Sequence, residues 1–245
     1  MGEPETFELG GQRFRIDTRA GKDRSLSNGD SFTLVKTKAM IDFYQDLAKS
    51  IEAKHIFEVG VFQGGSYVLL DQIFSPTKMT AVDLSDVPVD PLMDYISSNS
   101  SRSVHWGKSQ SDEAALQKIV DQDLGGRLDL VVDDASHLYS QTRRTFEILF
   151  PRLQPGGTYI IEDWAWSHRP AHQKETSPWA GQPALTNLVF EIIVLLASGP
   201  LIDAVSVRDH AVIITKSKTQ RAVRHFKSRE LWEDLKLRGR EMPRI

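Results

Sequence analysis

Two short apolar runs in this sequence stop abruptly at acidic residues. The first run ends at Asp133-Asp134, and the second ends at Glu162-Asp163. Apolar runs of strand length are typical of strands buried on both faces, as in a parallel sheet that is covered by helices. The residues that follow such strands meet at the carboxyl edge of the sheet, where open α/β folds bind their ligands. The pattern therefore predicts an α/β fold that gathers several carboxylates at one edge.

The rest of the chain alternates between predicted strands and predicted helices. Strands are expected at residues 55–61, 78–84, 103–106, 128–133 and 158–162, and helices at 36–51, 66–74, 112–122, 140–149 and 186–198. Repeated strand–helix–strand units predict a doubly wound sheet. Two last strands, at 204–208 and 211–215, have only two residues between them and must form an antiparallel hairpin. We therefore expect a mostly parallel, seven-stranded, Rossmann-like sheet that ends in an antiparallel hairpin.

The chain divides into three parts on these patterns. Residues 1–35 are expected to form a hairpin around Gly10-Gly11 and an irregular segment that could act as a lid. Residues 36–219 form the main domain. Residues 220–245 form a basic tail that is predicted to be helical around 228–237.

Composition narrows the classes of partner. The 245 residues include 30 basic and 33 acidic side chains, so the sequence offers no broad attraction to nucleic acid or to an anionic membrane. There is no cysteine, which excludes disulfides, thiolate metal sites and cysteine nucleophiles. The first 20 residues do not resemble a secretory signal, and no apolar stretch reaches the ~20 residues of a membrane span. We expect a cytoplasmic enzyme that acts on a small molecule.

A glycine-rich turn, Glu-Val-Gly-Val-Phe-Gln-Gly-Gly-Ser, follows the first predicted strand. A dinucleotide fingerprint requires glycine where this turn has Phe62, and a P-loop requires a lysine that is missing here, so a phosphate ligand is disfavoured. The turn resembles the first motif of the class I S-adenosylmethionine-dependent methyltransferases. That resemblance implies cofactor contacts from Glu58, Gly60, Gly64 and Ser66. The alternative is that the glycines serve only as a connector.

Two further residues are candidates for cofactor binding. Asp83 lies at the end of the second predicted strand, where its carboxylate could accept hydrogen bonds from both ribose hydroxyls. Ser111 follows the third predicted strand, where enzymes of this class contact the adenine. The alternative role for Ser111 is to cap the helix predicted at 112–122.

The chain resembles the metal-dependent sugar O-methyltransferases of natural-product biosynthesis, the macrocin and mycinamicin group, with cephalosporin-hydroxylase-like proteins as relatives. The resemblance covers roughly residues 36–163 and is most specific in the glycine turn, at residues 133–137 and at residues 161–164. It implies that Asp134, Glu162 and Asp163 hold Mg²⁺, with Mn²⁺ or Ca²⁺ as substitutes, and that His137 is the base. It also implies S-adenosylmethionine as methyl donor and a glycoside as the acceptor.

Elementary chemistry agrees with these roles. A divalent ion that binds vicinal hydroxyls lowers the pKa of one of them, and a neutral imidazole, whose free pKa is near ~6.5, can accept that proton. The spacing of Asp134 and His137 suggests one turn of helix with both side chains on the same face. Alternatives remain for each group: a surface histidine for His137, helix-end charge for Asp133-Asp134, and a contact between Asp133 and the cofactor's ammonium group.

The segment 164–185 is too long for a plain connector and is rich in tryptophan and histidine. It could cover the site as a lid, with residues 21–30 on the other side, and its His168 or His172 could replace His137 as the base. The alternatives are a surface loop anchored by tryptophan or a contact between copies in a homo-oligomer.

Three other functions stay open at this point. A catechol-type O-methyltransferase would use similar chemistry on a flat aromatic diol. An NAD(P)-dependent oxidoreductase would share the doubly wound sheet but is disfavoured by Phe62. A non-catalytic S-adenosylmethionine-binding subunit would keep the fold and the cofactor cavity alone.

Overall fold

The structure is a computed structural model that describes residues 4–19, 21–177 and 179–219. The strands are β1 (Glu5–Leu9), β2 (Gln12–Ile16), β3 (Phe32–Leu34), β4 (His55–Val59), β5 (Lys78–Val82), β6 (Arg102–His105), β7 (Leu130–Asp133), β8 (Thr158–Glu162), β9 (Ile202–Val207) and β10 (Ala211–Lys216). The α-helices are α1 (Lys38–Ser50), α2 (Gly65–Phe74), α3 (Asp90–Ser97), α4 (Glu113–Asp123), α5 (Tyr139–Leu149) and α6 (Thr186–Ser198). The tail helix predicted around 228–237 lies outside the described residues.

Seven strands form one sheet in the order β6-β5-β4-β7-β8-β10-β9. The first five run parallel to one another, and β10 pairs antiparallel with both β8 and β9. The predicted fold class, including the terminal hairpin, is therefore confirmed. The register places Asp133 opposite Val59 on one side and Ile161 on the other, so β4, β7 and β8 end side by side at one edge.

The central strands are buried on both faces because helices cover each side of the sheet. Val131 and Ile161 belong to an apolar cluster that also contains residues of α4, α5 and α6. Val132 and Ile160 point the other way, into a cluster with residues of α1, α2 and α3. Alternate residues of one strand thus enter opposite cores, which explains why β7 and β8 appear in the sequence as unbroken apolar runs.

A second, three-stranded sheet is formed by β1, β2 and β3. The β1–β2 hairpin is confirmed, whereas β3, which pairs parallel with β2, was not predicted. Phe14 and Leu34 are fully buried in the cluster that contains α1 and α2. A Cβ atom on Gly65 would lie 2.1 Å from the carbonyl oxygen of Thr33, so the first turn of α2 packs directly on β3.

Helix α3 was also missed by the sequence analysis. It begins after Val89, which provides no side-chain cap, and it contains a proline in its first turn. Two other helices have caps: the side chain of Thr37 accepts a hydrogen bond from the Met40 amide, and Asp112 accepts one from the Ala115 amide. None of the helices in the described ranges is long and apolar enough to cross a membrane.

Candidate active site

The candidate site lies at the carboxyl edge of the large sheet, directly after β7 and β8. Asp134, His137 and Asp163 each offer one ligand-type atom there, and these atoms lie within 4.8 Å of one another. Asp134 follows β7, and Asp163 follows Glu162, the last residue of β8. The parallel register therefore brings together residues that are 29 positions apart in the sequence.

Glu162 is held by Lys36, which lies just before α1, and by Tyr44, which lies within α1. The Lys36 ammonium donates to both Glu162 oxygens, at 2.7 Å and 2.6 Å, and to Asp134 Oδ2 at 2.9 Å. The Tyr44 hydroxyl donates to Glu162 Oε1. Lys36, Tyr44 and Glu162 are all buried. The sequence analysis overlooked Lys36 and Tyr44 because neither residue is part of a charge or motif pattern.

Burial and mutual repulsion disturb the acidic groups. Burial, together with the charge of Asp134, raises the pKa of Asp163 to about 7, and the pKa of Glu162 is raised for the same reasons. For Lys36, burial favours the neutral amine, but the ion pairs with Asp134 and Glu162 outweigh it and raise its pKa. Lys36 therefore stays charged at neutral pH and offsets part of the negative charge of the site.

His137 reaches the site through an unusual backbone conformation. Its φ is 56°, in the left-handed region, and α5 begins only at Tyr139. The expected helical turn between Asp134 and His137 is therefore wrong. In this conformation His137 Nε2 lies 3.9 Å from Asp134 Oδ1.

The His137 ring is enclosed by the loop that follows β8. The Trp166 ring lies with its centroid 4.5 Å from the imidazole, and Trp179 Nε1 donates to the His137 carbonyl oxygen at 3.2 Å. Chiefly because of this burial, the pKa of His137 is lowered, with Asp134 opposing the shift. The neutral imidazole, the form that accepts a proton, is therefore favoured at neutral pH.

The two other histidines of this loop have different contacts. His168 Nε2 pairs with the Thr186 hydroxyl at 2.9 Å and is exposed. His172 stacks on Trp166 with the ring centroids 5.4 Å apart. The close group of metal-ligand atoms found in the described residues contains neither of them. The loop thus supplies the enclosure that was expected of a lid, and His137 is the histidine that faces the carboxylates.

A cavity of about 810 Å³ opens beside these groups. Gly60, Asp83 and Asp134 line it. Gly60 has a φ of +91°, and a Cβ atom there would lie 2.4 Å from the Asp134 carbonyl oxygen. Glycine is therefore required at this position, since it lets the turn after β4 pass close to the turn after β7.

Asp83 holds the glycine turn in place from the end of β5. Its Oδ2 accepts from the amides of Val61 and Phe62, at 2.8 Å and 2.9 Å, and its Oδ1 accepts from the Ser85 amide at 2.8 Å. Phe62 itself lines the cavity with a half-exposed ring. Asp83 thus lines the cavity and also fixes the glycine turn that borders it.

Four other residues of the predicted cofactor set do not line this cavity. Glu58 is fully buried in β4, where burial raises its pKa to about 8. Gly64 precedes α2 with a left-handed backbone, and Ser66 borders a smaller cavity beside Lys36. Ser111 contacts Gln141 instead. Glu58, Gly64 and Ser66 thus lie in or beside the turn but outside the wall of this cavity, and their contact with a cofactor stays a prediction.

Ser111 and Asp133 both lie outside the wall of the cavity, so a contact of either residue with a cofactor stays a prediction. Ser109 and Gln110, next to Ser111, do line the cavity. The cap of α4 is Asp112, so the alternative role of Ser111 as the helix cap is wrong. The Asp133 carboxylate is buried behind the lining residue Gln110, from which it accepts at 3.4 Å, and it also accepts from Tyr159 at 3.0 Å.

The part of the chain that contains this site is similar to known proteins. Residues 57–164 match the family described as "Methyltransferase domain". The 8-demethyl-8-alpha-L-rhamnosyl tetracenomycin-C 2'-O-methyltransferase of Streptomyces olivaceus is 45% identical over 64 residues, 26% of this chain and 16% of that protein. Demethylmacrocin O-methyltransferase of Streptomyces fradiae is 40% identical over 63 residues, 26% of this chain and 15% of that protein.

A solved structure extends the match to most of the chain. The mycinamycin-pathway methyltransferase MycE, in complex with Mg, S-adenosylhomocysteine and mycinamycin VI, has a TM-score of 0.53 at 23% identity, over 75% of this chain and 50% of that chain. The alignment thus spans half of MycE and about a sixth of the curated relatives. Residues 57–164 are thus similar to a methyltransferase domain, the fold is that of the class I S-adenosylmethionine-dependent O-methyltransferases, and the chain is similar in part to sugar O-methyltransferases of natural-product pathways.

Proposed function

We propose that the protein transfers the methyl group of S-adenosylmethionine to a hydroxyl of a sugar or a glycosylated natural product, with a bound divalent ion and with His137 as the base. The main support is one arrangement. Asp134 lines the large cavity and also belongs to the close group with His137 and Asp163. A cofactor in the cavity and an acceptor at the carboxylates would therefore be neighbours.

The residues present fit both groups. A cavity of about 810 Å³ that is lined by the glycine turn and by Asp83 suits a nucleoside with free ribose hydroxyls. Carboxylate oxygens are the ligands that Mg²⁺ prefers, and Asp134 and Asp163 both offer them. Glu162, the third ligand of the predicted set, would join them only if Lys36 released it. When bound, the ion would supply a Lewis acid that makes a sugar hydroxyl easier to deprotonate.

The side chains of the site have defined tasks in this reaction. The acceptor oxygen forms a bond to the methyl carbon as the bond from that carbon to sulfur breaks, and His137 takes the hydroxyl proton. Asp134, 3.9 Å from His137 Nε2, stabilises the imidazolium that results. Trp166 and Trp179 keep water from the ring.

The class of acceptor comes from the relatives. The two curated relatives have names that describe methylation of a rhamnosyl tetracenomycin and of demethylmacrocin, and MycE was solved with mycinamycin VI. We carry a glycoside with vicinal hydroxyls over to this chain. That choice also separates the proposal from the catechol alternative, which needs a flat aromatic acceptor.

The test is a methyl-transfer screen read by mass spectrometry. The protein is incubated with S-adenosylmethionine, Mg²⁺ and matched pairs of glycosides and their free aglycones, with simple catechols as a third group. We expect methylated glycosides only, and no product once EDTA is added. Methylation of catechols alone would favour the alternative acceptor, and transfer that is insensitive to EDTA would contradict the metal requirement.

A further inference from the structure

Lys36 places a cation inside the candidate metal site. It lies between β3 and α1, its side chain is 1% exposed, and its ammonium contacts both Asp134 and Glu162. These are two of the three carboxylates that the resemblance assigns to the metal. The ammonium and a divalent ion would therefore use the same ligands.

The contacts divide the carboxylates unequally. Both oxygens of Glu162 accept hydrogen bonds from Lys36, and Oε1 also accepts one from Tyr44. Asp134 accepts a hydrogen bond from Lys36 through Oδ2, while its Oδ1 faces His137. The hydrogen bonds of Lys36 in the described structure go to Asp134 and Glu162, whereas Asp163 belongs to the close group with Asp134 and His137.

The balance of charge explains why a lysine contacts these carboxylates. Three ionised carboxylates in a buried place repel one another unless cations offset them. When all three are ionised, Lys36 offsets one negative charge, and the two that remain equal the charge of one divalent ion. Without Lys36, the protein would need the ion to keep three carboxylates together.

We propose that Lys36 is an internal cation that holds Asp134 and Glu162 in the metal-free protein and competes with the divalent ion for them. The inference rests on the proposed function, because it takes the metal site from it, and deepens it by naming the residue that sets metal affinity. The ion gains the Glu162 oxygens and Asp134 Oδ2 only as the ammonium gives them up, and two cations at this separation repel each other. Lys36 thus keeps metal binding weak and reversible.

The test measures Mn²⁺ binding directly, from the electron paramagnetic resonance signal of the free ion. Lys36→Met removes the charge and keeps a side chain of similar length. Since repulsion between buried charges a few ångströms apart is large, we expect this variant to bind Mn²⁺ at least about ten-fold more tightly than the wild type. Mn²⁺ should also raise its Tm more than that of the wild type.

Lys38→Met is the matched control, because Lys38 is exposed at the start of α1 two residues away. It should bind Mn²⁺ as the wild type does. If Lys36→Met does not fold, Lys36→Gln removes the same charge but keeps a donor for Glu162, and it should show the same gain. Affinity that is unchanged or weaker in the folded charge-removing variant would overturn the inference.

The outcomes also separate this inference from the proposed function. Binding by the variant but not by the wild type would support the role of Lys36 and contradict a metal-dependent wild-type reaction. Equal binding by both would leave the metal requirement intact and refute the competition. Binding by neither would refute both.

Discussion

Three non-glycine residues around the site have left-handed backbones. Phe62, His137 and Asp163 have φ values of 50°, 56° and 52°, and they follow β4, β7 and β8 respectively. Such conformations cost about 1–3 kcal/mol each and persist where neighbouring contacts enforce them, often at functional sites. The sequence could not reveal them, since these residue types usually adopt right-handed or extended conformations.

His137 is the residue whose loss should affect chemistry most. His137→Ala should reduce kcat by about 100-fold or more, the usual contribution of a general base, and leave S-adenosylhomocysteine binding intact. His168→Ala is the control, because His168 lies in the loop after β8 and is hydrogen-bonded to Thr186, and this variant should keep near-normal turnover. A His137→Ala enzyme with turnover within a few-fold of the wild type would remove His137 from the mechanism.

The pH profile gives an independent test of the same role. The base must be neutral, so at saturating Mg²⁺, which keeps the metal-binding carboxylates ionised, activity should fall as the pH drops through the pKa of His137. Because burial lowers that pKa, the acid limb should lie below pH 6.5, the ordinary value for histidine. An acid limb above that value would contradict the assignment.

Trp179 should act by positioning His137. Trp179→Phe keeps an aromatic ring but removes the donor to the His137 carbonyl oxygen, a hydrogen bond of about 0.5–1.5 kcal/mol. We expect kcat to fall about two- to ten-fold, with cofactor affinity unchanged. Trp164→Phe is the matched control, because its ring nitrogen donates to Arg208 on the terminal hairpin instead. Equal effects of the two changes on kcat would argue against positioning by Trp179.

At the scale of elements, the central strands and their crossover helices follow from the sequence. Apolar runs and helical spacing give β4, β7 and β8, and α6 has the bounds that were expected, 186–198. The three residues of β3 are too few to show a period, and α3 starts without a capping side chain. β3 and α3 form because tertiary packing favours them, and the local sequence pattern does not indicate that packing.

The close approach of the turns after β4 and β7 depends on Gly60. Gly60→Ala should lower the free energy of unfolding by more than Gly11→Ala, measured by urea denaturation, and should abolish S-adenosylhomocysteine binding. Both glycines have positive φ, but a Cβ atom at Gly11 meets nothing within 4 Å, whereas one at Gly60 meets the Asp134 backbone. Equal losses of stability would mean that the two turns can separate without cost.

At the scale of the whole molecule, the sheet topology made the acidic edge predictable. Carboxylates that end parallel strands had to meet, and Asp134 and Asp163 do. Lys36 could not be found in the same way, because it is 98 residues from Asp134 and 126 from Glu162, and no pattern links such distant partners. The expected partner of the carboxylates was a metal ion alone, whereas the fold also supplies a lysine.

The central claim is that the cavity beside Gly60 and Asp83 binds the methyl donor and that the adjacent carboxylates bind a divalent ion. Titration calorimetry with S-adenosylhomocysteine, first with Mg²⁺ and then with EDTA, tests both parts before any acceptor is known. We predict binding in both conditions, with an additional heat that depends on Mg²⁺. Absence of S-adenosylhomocysteine binding under either condition would contradict the account and return the oxidoreductase to consideration.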